Sequence, residues 1–193
     1  MKTENYVLME MARESLRGKW GIAVGTYLVY VIIVGILSEI PVIGTIGTIL
    51  VSSPLLLGYV IFSLSISRNE DAKFNQLFDG FNNFGKAFVT GLLVGLFTML
   101  WTLLLIIPGI IATYSYAMTF YILADDSSIG AMEAISRSKK MMDGNKWNLF
   151  CLGCRFIGWG LLCILTLGIG LLWLLPYIQI STAKFYDDIK LNH

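Results

Sequence analysis

The chain has 193 residues, of which 56% are hydrophobic and 14% are charged, against about 25% charged residues in ordinary globular domains. This composition excludes an ordinary soluble domain, because a core of this size cannot hide so many apolar residues. The formal net charge of +1 provides no basic stripe that could neutralise phosphates, so we expect no nucleic-acid partner. The sequence predicts a single all-α integral membrane domain over residues 1–193.

The first third of the chain predicts an interfacial helix followed by two membrane spans. Residues 6–17 form an amphipathic pattern in which these side chains lie near one side at helical spacing: Leu8, Met11, Ser15 and Leu16. We expect a first span over 20–38, a turn at Pro41, and a second span that ends at Ser67. This part of the chain therefore predicts one helical hairpin behind a short interfacial helix.

The central third repeats this layout. Residues 74–84 predict a second interfacial helix, because their large apolar side chains follow helical spacing: Phe74, Leu77, Phe78, Phe81 and Phe84. The 38 residues of 87–124 contain no charge, and one α-helix of that length would reach ~57 Å, against ~30 Å for the hydrocarbon core. Pro108 suits the first position of a new helix, so we expect two spans, 87–107 and 108–124.

The last third begins with a third predicted interfacial helix, over residues 129–142. Residues 125–128 are cap-type and acidic side chains, which favour a helix start immediately after them. Lys139 and Lys140 stand in the last predicted turn, and Gly144 follows as a typical stop signal.

Two further spans follow: a fifth over about 147–166 and, after a turn at Gly168 and Gly170, a sixth that runs through Pro176 to about Ala183. A short polar tail completes the chain. The full prediction is six transmembrane helices arranged as three hairpins, each preceded by a cytoplasmic amphipathic interfacial helix.

The three hairpins predict an internal repeat, with quasi-repeats of about 6–67, 72–124 and 127–186. The intervals from the glycine before each hairpin to its turn residue are 23, 23 and 24 residues: Gly18 to Pro41, Gly85 to Pro108, and Gly144 to Gly168. The alternative is that any hairpin sized to a bilayer gives similar intervals, because the side chains between these markers are not obviously alike.

The distribution of cations predicts the orientation of the chain. With six spans, thirteen of the fourteen Lys and Arg residues fall on one side, and Arg155 lies just inside the fifth span near the same side. The positive-inside rule then places both termini and the amphipathic segments in the cytoplasm. We therefore expect a multi-pass protein of the bacterial plasma membrane.

Five segments of the chain together resemble one known family: ARESLRGKW, FNQLFDGF, LLIIPGIIATYSYAMTFYILADD, AISRSKKMMDGNKWNLF and TLGIGLLWLLPYIQISTAKFYDDI. They are similar to the bacterial domain of unknown function 975 (DUF975), over nearly the whole chain. The resemblance implies a small polytopic protein of the bacterial plasma membrane. A more distant likeness is to the membrane domain attached to some glycerophosphodiester phosphodiesterases, and it does not imply their hydrolase activity.

No catalytic pattern is evident in the sequence. The spans contain no histidine, and the HExxH, GxSxG and P-loop patterns are absent. Cys151 and Cys154 form a CxxC pattern, but a zinc site needs about four ligands and no second CxxC exists, so we favour packing thiols. We expect a protein that is not an enzyme and has no cofactor or metal.

The favoured function is binding of membrane lipids or membrane partners at the cytoplasmic interface. The candidate residues are Lys139, Lys140, Lys146, Trp147 and Arg155. A charge deep in lipid costs about 2.5–3.5 kcal/mol on insertion scales, so Arg155 either reaches the headgroups, pairs within the protein, or binds a lipid or substrate. Partners in this view are lipids, other membrane proteins or a second copy of the chain.

The alternative function is a small-solute or lipid transporter, or a channel, with a path between the hairpins. Gln179, Tyr114 and Arg155 are the polar residues that would line such a path. Polar groups of membrane helices often satisfy one another, so packing roles for Gln179 and Tyr114 are the simpler interpretation.

Overall fold

The computed structural model describes residues 3–39 and 43–191, and all regular elements in these ranges are helices. In chain order they are α1 (Asn5–Ser15), α2 (Trp20–Glu39), α3 (Ile43–Ser67), a 3₁₀ helix (Phe74–Asn83), α4 (Phe84–Leu104), α5 (Ile106–Tyr116), α6 (Thr119–Asp125), α7 (Ala131–Met141), α8 (Lys146–Leu165) and α9 (Leu171–Leu191). The all-helical fold class is confirmed. The turn predicted at Pro41 lies outside the described residues.

Five helical segments of the described chain are long and apolar enough to cross a membrane: Trp20–Glu39, Leu50–Ser67, Phe74–Leu104, Ile106–Asp125 and Lys146–Leu165. They overlap the first five predicted spans, although the third segment begins at Phe74 and so includes the residues predicted as the second interfacial helix. The helix that contains the sixth predicted span, α9, has an uncharged first half, but its second half carries Lys184, Asp187 and Asp188. The helices therefore suit a membrane protein.

Helix α3 is the inner helix of the bundle. In its Leu50–Ser67 segment 67% of residues are buried, against 11% for α2. It packs against α2, α4, α6, α9 and the 3₁₀ helix. Its buried side chains include Leu55, Phe62 and Ile66, so the largest apolar contacts of the fold are made from this one helix.

The 3₁₀ helix lies directly on the backbone of α3. A Cβ atom added to Gly58 would stand 1.9 Å from the carbonyl oxygen of Leu77, and one added to Gly80 would stand 1.9 Å from the carbonyl oxygen of Pro54. Only glycine permits such a close approach at these two positions.

The second predicted interfacial helix is a 3₁₀ helix and not an α-helix. With three residues per turn, Leu77 and Gly80 fall on the same side, and both are buried against α3. Phe74 and Phe78 stay exposed and stack edge-on, with ring centroids 5.9 Å apart. The apolar spacing in the sequence is compatible with both helix types, and the contact with α3 decides between them.

The bend in the central uncharged stretch lies slightly earlier than predicted. Leu105 is extended, with φ −161° and ψ 143°, and α5 begins at Ile106. Pro108 is thus the third residue of α5, where a missing N–H has no intrahelical partner to lose. A Cβ on Gly109 would stand 2.8 Å from the Thr102 Cα, so this glycine lets α5 pack closely along α4.

Two other sequence expectations are corrected. Helix α7 begins after Gly130 and has no side-chain cap, because Asp126 instead accepts hydrogen bonds from Ser128. The predicted polar tail is helical as far as Leu191, and its buried side chains, Phe185, Tyr186 and Ile189, pack into the core. Tertiary contacts therefore extend α9 beyond the apolar segment.

The turns that lead into α2 and α8 have the same geometry. Gly18 and Gly144 adopt positive φ angles of 79° and 71°. In the first turn Lys19 N–H donates to the Leu16 carbonyl, and in the second Asn145 N–H donates to the Met142 carbonyl. The corresponding turn before α4 lacks this geometry, since the 3₁₀ helix runs directly into α4.

The contact between α3 and the 3₁₀ helix predicts a strong effect of adding one methyl group. We expect Gly58→Ala or Gly80→Ala to lower the free energy of unfolding by about 3 kcal/mol or more, since the methyl group meets a backbone carbonyl that cannot move aside. Thermal unfolding of the purified protein in detergent measures this. Gly95→Ala is the matched control, because a Cβ there has open space; an equal loss in the control would contradict the prediction.

Candidate functional site

Hydrogen bonds join the charged loops of the chain at one end of the bundle. The contacts join loops and first helical turns: Asn5 Nδ2 donates to the Asn148 carbonyl (2.9 Å), Lys19 Nζ to the Glu70 carbonyl (2.9 Å) and Lys86 Nζ to the Ser128 carbonyl (3.2 Å). These loops follow or precede α1, α2, α3, α4, α6 and α8. The cations therefore gather at one end of the described bundle.

An ion-pair cluster closes this end where α3, α6 and α9 finish. Arg68 makes two parallel bonds to Asp125, of 2.7 and 3.0 Å, and contacts Asp187 at 2.7 Å. Lys190 Nζ lies 2.5 Å from Asp125, and Tyr186 donates to the same carboxylate at 2.8 Å. The hydrogen bond to Asp125 is the main cause that raises the pKa of Arg68, so this guanidinium stays charged.

Lys139 and Lys146 line one groove between α4, α5, α7 and α8. The groove has a volume of about 240 Å³, and its other lining residues are Trp101, Pro108, Ile111, Ala112, Ser115 and Tyr116. Neither lysine makes an ion pair with another described residue. Lys140 is exposed next to Lys139 but does not line this groove.

An aromatic group stands beside the start of α8. Trp147 is 70% exposed and stacks on Phe150, with ring centroids 5.1 Å apart. Tyr114 packs edge-on against the other side of this group, 6.1 Å from the Phe150 ring. Trp147 and Tyr114 thus belong to one surface, which also contains Lys146 as the neighbour of Trp147.

Arg155 is exposed on α8 and lines a different groove, between α1, α8 and α9. This Arg13–Arg155 groove has a volume of about 440 Å³ and is lined by Tyr6, Met9, Glu10, Arg13, Arg155 and Tyr177. Tyr177 is held in place because its hydroxyl donates to the Met9 carbonyl at 2.9 Å.

The three residues of the alternative path have separate environments. Neither Tyr114 nor Gln179 lines the Arg13–Arg155 groove. The backbone carbonyl of Gln179 accepts a hydrogen bond of 3.5 Å from Tyr121, on the side of α9 that packs against the core.

The cysteines and acids offer little for metal binding. Cys151, Cys154 and Cys163 are free thiols. Within the described ranges, no group of three or more His, Cys, Asp or Glu side chains is placed to hold a metal ion.

Comparison with known proteins gives a family match over the whole chain. Residues 1–115 and 102–193 match the family described as "Protein of unknown function (DUF975)". The chain belongs to the DUF975 family. No curated protein and no solved structure matches it, and the distant phosphodiesterase likeness stays a prediction.

Sequence reasoning missed two parts of the charged end of this DUF975 chain. Arg13 lies in the predicted amphipathic helix 6–17 but is not one of its apolar residues, and nothing in the local sequence indicates that α1 packs on α9 near Arg155. The sequence predicts that Asp125 contributes to a helix start. In the structure its carboxylate instead accepts hydrogen bonds from Arg68 and Lys190. The one sequence signal for the cluster is Asp187, an acid in a helix whose first half is uncharged; the neighbouring Asp188 accepts a hydrogen bond from Thr3 instead.

The ion-pair cluster predicts unequal effects for two arginine variants of the DUF975 chain. Arg68→Gln leaves Asp125, whose side chain is 12% exposed, without its strongest partner, and we expect a loss of about 2 kcal/mol in unfolding free energy. Arg137→Gln removes exposed contacts to Asp126 and Glu133, for which we expect at most about 0.5 kcal/mol. Thermal unfolding in one detergent compares them, and equal losses would contradict the assignment.

Proposed function

We propose that this DUF975 chain is a non-enzymatic protein of the bacterial plasma membrane that binds anionic lipids at its cytoplasmic face. The observation that carries the proposal is the convergence of Lys139 and Lys146 on one groove, beside the exposed Trp147. The arrangement combines cations with an aromatic side chain of the kind that resides at headgroup depth.

The proposed topology has six spans in three hairpins. Five helices meet the length and apolarity of a span, and the uncharged first half of α9, residues 171–183, supplies the sixth. An even number of spans is supported by contacts that join segments near both ends of the chain to the same charged end: Asn5 to Asn148, and Arg68 to Asp187 of α9. Helices α1 and α7 then lie at the interface on that same side, whereas the 3₁₀ helix extends from there along α3, where its Gly80 lies against the Pro54 carbonyl.

The proposed orientation places the charged end in the cytoplasm. The opposite turns are apolar: Leu105 is 68% exposed and Leu167 is 95% exposed. Because cations are retained on the cytoplasmic side during insertion, the cationic end supports a cytoplasmic location for both termini.

Electrostatics favours an anionic lipid over other ligands at the Lys139–Lys146 groove. Neither lysine has an acidic partner among the described residues, so both charges are available to an anion. The cytoplasmic leaflet has a negative surface potential, and each Lys or Arg near it contributes about 1 kcal/mol of attraction. Membrane proteins are further candidate partners at the same surface.

Labelling of single cysteines tests the topology. In a variant with Cys151, Cys154 and Cys163 replaced by alanine, we expect Leu105→Cys to react with a membrane-impermeant maleimide on intact cells. Asp143→Cys, in the turn between α7 and α8, should react only after permeabilisation, because it lies at the cationic end. Labelling of Asp143→Cys on intact cells with Leu105→Cys protected would overturn the orientation.

Charge reversal tests the lipid-binding role. We expect the triple variant Lys139→Glu, Lys140→Glu and Lys146→Glu to lower the preference for phosphatidylglycerol over phosphatidylcholine by at least about tenfold, because three attractions become repulsions. Native mass spectrometry of the purified chain with each lipid measures the preference. The control replaces the same three lysines by arginine and should keep it; an unchanged preference in the glutamate variant would refute the proposal.

A further inference from the structure

Arg13 stands where three grooves of the surface meet. One is the Arg13–Arg155 groove. A second, which we name the tryptophan groove, has a volume of about 370 Å³ and shares Arg13 and Tyr177 with the first. A third, on the outer side of α1, shares Arg13 and Trp20 with the tryptophan groove. Because they share lining residues, the three grooves adjoin one another at Arg13, and we refer to them together as the depression; its lining comes from α1, α2, α8 and α9.

The chemistry of this depression changes along its length. At one end are the guanidinium groups of Arg13 and Arg155. The tryptophan groove is apolar, and its lining includes Trp20, Trp159, Leu162, Cys163, Trp173 and Leu174. Its volume lies within the range of small-molecule sites, about 300–1,000 Å³. A ligand that fits both ends is therefore an amphiphile with an anionic head.

The two arginines lack the acids that neutralise other arginines of the chain. Arg68 contacts Asp125 and Asp187, and Arg137 contacts Asp126 and Glu133. No ion pair or hydrogen bond joins Arg13 or Arg155 to another described residue. Glu10 lines the same groove but makes no ion pair with a described residue. Two guanidinium groups beside one acid leave a net positive charge in the Arg13–Arg155 groove. The third groove adds one acid, Glu14, and one cation, Arg17, so the depression as a whole stays positive.

The depth of Arg155 strengthens the need for an anion. It lies nine residues beyond Lys146 in α8, or ~14 Å along the helix axis at ~1.5 Å per residue. An ionised side chain at such a depth, exposed on a helix of a membrane span, requires a counter-charge or a path to the headgroups. Arginine is suited to this role because its planar donors match the oxygens of a phosphate.

We propose that this depression holds one anionic glycerophospholipid, with its phosphate between Arg13 and Arg155 and an acyl chain along the tryptophan groove. The inference rests on the proposed lipid-binding function but uses residues separate from the Lys139–Lys146 groove. A zwitterionic lipid is disfavoured, because its ammonium group would approach two arginines.

Native mass spectrometry of the full chain in detergent tests the site with three probes: phosphatidylglycerol, phosphatidylcholine and glycerol 3-phosphate. We expect one phosphatidylglycerol at this site, in addition to lipid bound at the Lys139–Lys146 groove, at least about tenfold weaker phosphatidylcholine, and no retained glycerol 3-phosphate. The double variant Arg13→Gln and Arg155→Gln should weaken phosphatidylglycerol by about tenfold or more. Arg13→Lys with Arg155→Lys should keep most of the binding, because the charges remain.

A second pair of variants tests the apolar end without touching a charge. Leu162 is 55% exposed and lines the tryptophan groove, whereas Leu161 is 62% exposed and does not. We expect Leu162→Trp to fill the groove and weaken phosphatidylglycerol about tenfold, while Leu161→Trp leaves it unchanged. The thermal unfolding midpoint of each variant reports whether it is folded.

The outcomes separate this site from the proposed function. The inference would be overturned if the Arg13→Gln and Arg155→Gln double variant and Leu162→Trp both retained phosphatidylglycerol at the wild-type level. It would also be overturned if the wild-type chain were found as a dimer without lipid. If only the triple variant of Lys139, Lys140 and Lys146 loses the lipid, the inference fails and the proposed function stands. If only the arginine and Leu162 variants lose it, this site stands and the Lys139–Lys146 groove is excluded.

Discussion

The backbone contact between α3 and the 3₁₀ helix is the constraint on which the rest of the fold depends. Gly58 and Gly80 let the two backbones approach to distances that a side chain would prevent. The contact buries Leu77 and turns Phe74 and Phe78 outward. Since α3 also packs against α2, α4, α6 and α9, its position sets where the ends of those helices meet. Arg68, immediately after α3, joins two of those ends by ion pairs.

Arginine has two different environments at the charged end of the bundle. Arg68 is stabilised by carboxylates from α6 and α9, and the resulting bonds are worth more than exposed pairs because the acids are largely buried. Arg13 and Arg155 line a groove and make no ion pair with a described residue. Arginines with acidic partners thus form the structural cluster at Arg68, whereas arginines without such partners line surfaces suited to a lipid phosphate. The distribution of acids therefore determines both the stability of the bundle and the proposed lipid recognition of this DUF975 chain.

Much of the fold could be predicted from the sequence, because charges bound the apolar segments. The predicted spans 20–38 and 147–166 differ from α2 and α8 by at most one residue at each end. Predictions failed where contacts between helices decide the outcome: the 3₁₀ geometry of residues 74–83, the extended Leu105 and the helical tail. The sequence predicts Lys139, Lys146 and Arg155 as candidate site residues. It does not predict the grooves that these residues line, or that Arg13 lines one of them.

The sequence by itself determined that this protein is helical and apolar, and that its cations cluster in a few loops, because hydrophobic periodicity and charge spacing are local properties. Only the tertiary structure decided which cations become neighbours. Arg13 and Arg155 are distant in the chain and meet because α1 and α8 both pack against α9. Lys139 and Lys146 face one groove because α7 and α8 both pack against α5. Contacts between residues so distant in the chain depend on how the helices pack, and no single segment of the sequence encodes that packing.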